Sequence, residues 1–142
     1  MEKIVLKTKV DLGAHAPQKA HDTDAGYDLR CRNGAVIEPH TACAFDTGVH
    51  VLIPEGYVGM LKAKSGLNVK SNILTTGVID AGYTGPIVVN VYNHGDTPYY
   101  VASGDKITQL VVLPLPSTSL EFVESLDVVT ERGDAGFGSS GK

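Results

Sequence analysis

The chain has 142 residues, 42% of them hydrophobic, and a formal charge of -4. That length buries one core and leaves no room for a second, and the acidic balance argues against a nucleic-acid coat or a polybasic membrane surface. No apolar run approaches membrane-spanning length and Met1-Glu2-Lys3 opens without the apolar core of a signal peptide, so the expectation is a soluble, cytoplasmic or otherwise intracellular protein with neither nucleic-acid nor membrane partner.

Along the chain, period-two alternation dominates. Ile4, Leu6, Thr8 and Val10 point one way while Val5, Lys7 and Lys9 point the other. Similar strand-like runs recur at 48–53, 57–62, 86–92, 99–102, 106–113 and 121–129, punctuated by turn signals such as Pro54-Glu55-Gly56, His94-Gly95-Asp96 and Ser103-Gly104-Asp105. One stretch reads differently: Ser65 is placed to cap a short helix to about Ser71, with Leu67 as its apolar face. The predicted architecture is all-β, a jelly-roll-like sandwich or barrel with one short helix. Cys31 and Cys43 are too few for a disulfide framework and are expected as free buried thiols, and His40 beside them lacks a fourth ligand at zinc spacing.

A change of composition marks the end of the chain. Residues 1–131 form the expected domain, and 132–142 an arm in which glycines, hydroxyls and cations surround one aromatic ring. Inward-turned N–H groups of Gly136 and Gly138, the hydroxyls of Ser139 and Ser140, and the charges of Arg132 and Lys142 suit polyphosphate, while Phe137 offers a stacking face. Two familiar patterns, G-x-G-x-x-G and G-x-x-x-x-G-K, match here by accident, since each needs a helix after it and the chain stops. On composition alone the arm reads equally well as a frayed tail.

Upstream, four segments carry polar or acidic residues that a β-sandwich does not require. They are Asp24-Ala25-Gly26-Tyr27-Asp28-Leu29, Ala63-Lys64-Ser65-Gly66-Leu67, Gly77-Val78-Ile79-Asp80-Ala81-Gly82-Tyr83-Thr84-Gly85, and Gly104-Asp105-Lys106-Ile107-Thr108-Gln109-Leu110. Each alone is ordinary turn or hairpin chemistry. Taken in order with the arm, from Asp24 to Lys142, they resemble the five motifs of the trimeric dUTPase family. The resemblance implies a homotrimer with active sites between subunits, a substrate dUTP, and hydrolysis to dUMP and pyrophosphate with Mg²⁺.

Residue by residue, the resemblance assigns Asp28 to a hydrated Mg²⁺, and Lys64, Ser65, Gly66 and Gln109 to the phosphates. Lys64 stands where the family more often has Arg, keeping the charge and losing the bidentate fork. Asp80 is the expected general base, orienting a water for attack on the α-phosphorus. The backbone of Gly77, Val78, Ile79 and Asp80, with Val88 on the returning strand, would read the uracil edge, and Tyr83 would lie against the deoxyribose. Arg132, Phe137, Gly138, Ser139 and Ser140 would close over the nucleotide. Leu74 replaces an Asn that some members place against uracil; Asn72 is a weak substitute. Two rivals follow: a nucleotide-gated signalling protein of the same fold, and a dCTP deaminase, which would need a catalytic Glu where this chain has Asn90.

Overall fold

The computed structural model describes residues 2–141, so Lys142 lies outside the described residues. The alternating runs become β1 (Lys7–Val10), β2 (Tyr27–Arg30), β3 (Ala35–Ile37), β4 (Thr41–Asp46), β5 (Val49–Leu52), β6 (Tyr57–Lys62), β7 (Ile73–Ile79), β8 (Val88–Asn93), β9 (Tyr99–Val101) and β10 (Lys106–Pro114), with helix α1 (Ser65–Ser71) between β6 and β7. Six strands form one antiparallel sheet in the order β2-β10-β6-β7-β8-β4, and β1 with β5 and β3 with β9 form two-stranded ribbons. This is the all-β, jelly-roll-like fold with one short helix that the alternation predicts. Among the described residues no helix is long and apolar enough to cross a membrane.

The period of two explains which faces meet. In β8, Val89, Val91 and Asn93 are buried while Val88, Asn90 and Tyr92 are exposed. The core gathers such inward positions from every sheet, among them Leu29, Ile37, Phe45, Val51, Leu61 and Leu110. Buried polar groups are paired: Thr75 and Thr108 hydroxyls lie 2.7 Å apart, and the Asn93 amide donates to the carbonyls of Ile37 and Thr97, each at 2.9 Å. Leu110 sits mid-sheet, opposite Tyr27 on one side and Leu61 on the other, and is 1% exposed. Leu110→Ala is therefore expected to cost about 2–5 kcal/mol through lost burial and a residual cavity. A urea titration should show the midpoint falling with little change in slope.

Several expectations shift. The first strand is shorter than its alternation, since only Lys7–Val10 pairs with β5. The run at 121–129 forms no strand: Leu120, Phe122, Leu126 and Val129 are exposed, and among the described residues no strand pairs with it. A strand needs a partner edge, and alternation alone does not supply one. Ser65 is the first helical residue, not the cap; Lys64 occupies the cap position in extended conformation and makes no side-chain cap bond. Leu67 does pack against the core. Both cysteines are free, Cys31 buried and Cys43 only half-buried.

Candidate active site

The pairing of β10 with two neighbours builds a polar row from three distant parts of the chain. Gln109 lies opposite Asp28 of β2 on one side and Lys62 of β6 on the other. Immediately after β6, the chain turns into α1 through Ala63 and Lys64, and the Gln109 side-chain amide donates to the Ala63 carbonyl at 3.1 Å. Gly26 matters to this row, because a Cβ there would meet Gln109 Oε1 at 2.7 Å. The Lys64 ammonium turns back onto Asp28 Oδ1, and Lys106 Nζ lies 3.2 Å from Asp28 Oδ2. Burial pushes the Asp28 carboxyl up, but hydrogen bonds and charge from Lys64 and Lys106 outweigh it and hold the group below its ordinary value. One carboxylate against two ammonium groups leaves a net positive patch, with the exposed Ser65 and Gly66 beside it. Such a patch suits phosphate.

A second feature forms where β7 and β8 part. They pair only at Ile73↔Asn93, Leu74↔Tyr92 and Thr75↔Val91; beyond Thr75, β7 stays with β6 while the start of β8 pairs with β4. The divergence opens a cleft of about 340 Å³ lined by Val78, Ile79, Asp80, Tyr83, Pro86, Ile87 and Val88. Gly77 precedes this lining on β7, and a Cβ there would come within 3.0 Å of Leu61. The tip is a tight turn: Tyr83 N–H donates to the Asp80 carbonyl at 3.2 Å, and Gly82 takes the left-handed conformation at φ 86°. The Tyr83 hydroxyl donates to the Pro86 carbonyl at 2.9 Å, which lays the ring along the cleft. Asp80 is exposed, and among the described residues its carboxylate accepts no hydrogen bond.

These two features do not meet within one chain. Ile79 pairs with Gly59 near the start of β6, whereas the polar row crosses β6 at Lys62. Asp80, one residue past Ile79, therefore stands ~13 Å along the strand from the row at ~3.3 Å per residue. The described residues of the arm meet neither feature. Phe137 is fully exposed, and hydrogen bonds made by the arm are local, as in Arg132 Nε donating to the Ala135 carbonyl at 2.9 Å. Gly138, Ser139 and Ser140 are likewise exposed. Asn72 closes α1 in the left-handed conformation at φ 55°, a helix-ending role, and Leu74 sits in the β7–β8 ladder.

Three participants are passed over by sequence reasoning. Lys106 lies in a quoted segment, but only the β2–β10 register aims it at Asp28. His50 and Asp11 reach the cleft's turn from behind, through a bond from His50 to the Thr84 carbonyl. The signal for Lys106 was its place in the Gly-Asp-Lys turn; for His50 and Asp11 there was none in the sequence.

An all-β chain with one carboxylate flanked by two lysines, and a hairpin parted into a small cleft, carries features that suit an anionic small molecule. Family comparison narrows this: the dUTPase model matches residues 13–141, and the chain belongs to the dUTPase family. A deoxyuridine 5'-triphosphate nucleotidohydrolase of Clostridium tetani is 38% identical over 146 residues, spanning all of both chains. One from Cutibacterium acnes is 41% identical over 145 residues, covering 99% of this chain and 94% of the relative. Among solved structures, the Staphylococcus bacteriophage 80alpha dUTPase with dUPNHPP matches with a TM-score of 0.91 at 35% identity, over 99% of this chain and all of that one. A mutant dUTPase from phage phi11 of S. aureus, whose structure describes the coordination of a structural Mg(II) ion, matches with a TM-score of 0.81 at 31% identity, over 88% of this chain and all of that one.

Proposed function

We infer that this chain is a dUTP diphosphatase that hydrolyses dUTP to dUMP and pyrophosphate, with Asp80 as general base in a site completed by neighbouring copies. The observation that carries the reading is the opened hairpin: an exposed, unpartnered carboxylate at the rim of a cleft whose lining includes Val78, Tyr83 and Val88. Asp80 orients a water and takes its proton as the water oxygen bonds to the α-phosphorus. The bond from that phosphorus to the bridging oxygen breaks, and pyrophosphate leaves with the electron pair. No side chain becomes a covalent nucleophile, so positioning and charge neutralisation supply the rate.

The polar row faces the phosphates. Lys64, Lys106 and Gln109 donate to phosphate oxygens, with Ser65 and Gly66 at the start of α1 beside them. The family uses Mg²⁺, and the donor set here fits a particular form of it. Asp28 is already flanked by two ammonium groups, so an ion seated directly on that carboxylate would be repelled. Asp28 would instead suit an ion that keeps its own hydration shell. When bound, such an ion would supply charge neutralisation to the phosphates.

Uracil enters the cleft, where backbone groups of Gly77, Val78, Ile79, Asp80 and Val88 face its edge, and a close fit there excludes a thymine methyl. Tyr83 lies against the deoxyribose and excludes a 2′-hydroxyl. Tyr83→Ala is accordingly expected to raise kcat/KM for UTP relative to dUTP by roughly ten- to a hundredfold with little change in thermal stability. Gly85→Ala should do the same in milder form, because the added Cβ would run into the Tyr83 ring and hydroxyl and push them aside. Parallel kinetics with the two nucleotides check both.

The ~13 Å gap between cleft and row supports a homotrimer in which the cleft of one copy faces the row of another. The uncovered apolar run around Phe122 and Val128 gives such copies something to bury. The arm, with Arg132, Phe137, Gly138, Ser139 and Ser140, then closes over bound nucleotide as a lid. A deaminase reading lacks its acid: Asn90 stands on β8 where the Glu would be needed, and its side chain is exposed. Product analysis with and without Mg²⁺ tests the proposal. Equimolar dUMP and pyrophosphate from dUTP supports it, and ammonia from dCTP contradicts it.

A further inference from the structure

The turn that carries Tyr83 is fastened to the rest of the fold by backbone bonds and by one side chain that can titrate. Gly82 N–H donates to the Ile53 carbonyl at 3.2 Å, and Ile87 N–H donates to the Val49 carbonyl at 2.8 Å. Between them, at Thr84, the fastening is a side chain. His50 Nδ1 lies 2.8 Å from the Thr84 carbonyl oxygen, and His50 Nε2 lies 3.0 Å and 3.1 Å from the two oxygens of Asp11. A carbonyl and a carboxylate only accept hydrogen bonds, so both contacts are made at once only by the doubly protonated imidazolium. Its side chain is 19% exposed and sits on β5, facing out from the core beside the turn.

We propose that His50, oriented by Asp11, is a positioning residue for substrate discrimination: its imidazolium clamps Thr84, holds Tyr83 along the cleft, and makes the preference for dUTP over UTP depend on pH. The proposal rests on the reading of Tyr83 as the sugar gate. The charged groups near the ring come from β1, the turn after it and the segment after β2. Asp11 faces Nε2 and is itself 3.6 Å from Lys9 Nζ and 3.8 Å from Arg32 Nη1. Lys9 is also the cross-strand neighbour of His50, and Lys7 lines the same shallow groove with Thr84. The bonds to Thr84 and to Asp11 outweigh burial and the charge of Lys9, and the His50 pKa is raised from its ordinary value of 6.5.

A raised pKa means that the clamp is complete at low pH and is lost as pH rises through that value. When one proton leaves, the remaining one stays on Nε2, where the acceptor is charged and the bond stronger. Nδ1 then presents a lone pair to the Thr84 oxygen, and an attraction becomes a repulsion. The turn loosens where Tyr83 is attached.

The test is the ratio of kcat/KM for dUTP to that for UTP, measured from about pH 6 to pH 9, a span that brackets the ordinary imidazole pKa. Ionisations shared by both nucleotides cancel in that ratio. Wild type should lose discrimination roughly tenfold across the range. His50→Asn keeps an N–H near the Nδ1 position at every pH and should give a high, flat ratio. His50→Gln reaches toward Asp11 instead and should give a low, flat one. Tyr83→Ala marks the floor. A flat wild-type ratio overturns the proposal and needs no variant, as does a wild-type ratio in His50→Gln while Tyr83→Ala is lowered. If Tyr83→Ala itself keeps the wild-type ratio, the sugar-gate reading falls and the clamp proposal with it.

Discussion

Asp80→Asn should lower kcat for dUTP by about two to four orders of magnitude, the range for a positioned general base. The amide preserves the shape of the carboxylate but cannot accept the water's proton. Asp80 stands exposed at the cleft rim without a hydrogen bond from the rest of the described residues, so the substitution breaks no contact that holds the turn. Thermal stability should stay within ~0.5 kcal/mol, as for other surface changes. Binding of a non-hydrolysable dUTP analogue should persist, since removing a negative charge beside phosphate costs no attraction. A variant with near wild-type kcat would take Asp80 out of the role of base.

Deleting residues 132–142 should leave a folded protein that turns over dUTP very poorly. Among the described residues the arm adds nothing to the core: they are exposed, and their hydrogen bonds close local turns such as Ser139 N–H to the Gly136 carbonyl at 3.1 Å. Its contribution arises when nucleotide is present, as Arg132 and the Ser139 and Ser140 hydroxyls find phosphate and the Phe137 ring finds the base. Phe137→Ala alone should weaken binding by about 1–3 kcal/mol, the worth of one stacked base. Limited proteolysis should cut the arm of the free protein and spare it with a dUTP analogue and Mg²⁺ bound. Full activity in the truncated chain would reduce the arm to a frayed end.

Much of this fold is visible in period-two patterning, and the places where it is not have local reasons. Ala35–Ile37 is too short to alternate, Thr41–Asp46 opens on small residues, and Tyr27–Arg30 takes its buried Asp28 from a polar row that sequence alone reads as a turn. The run at 121–129 errs the other way, because alternation reports a capacity to pair and not the presence of an edge. The site divides similarly. Residue types suggested phosphate, and the family resemblance added expectations for base and sugar. Which of them share a neighbourhood depended on register: Gln109 falling opposite both Asp28 and Lys62 joins segments far apart in sequence, and the parting of β7 from β8 makes the cleft. Lys64 shows the limit plainly, since its charge suggested a phosphate contact and its ammonium also lies on Asp28. The His50 bond to Thr84 leaves no trace in local sequence, because it joins β5 to a turn that only the fold brings beside it.

The claim that the cleft of one copy serves the row of another is open to a direct measurement. Asp80→Asn damages the cleft half, and a Lys64→Ala/Gln109→Ala double variant damages the row half; each alone should be nearly inactive. The two are unfolded together, refolded as a mixture and assayed with dUTP and Mg²⁺. If each site takes its halves from different copies in a closed ring, random assembly leaves both halves intact in about one quarter of the sites, and that share of wild-type activity should return. A mixture as inactive as its parents would mean that each site lies within a single chain, contrary to the ~13 Å separation read from the β6 register.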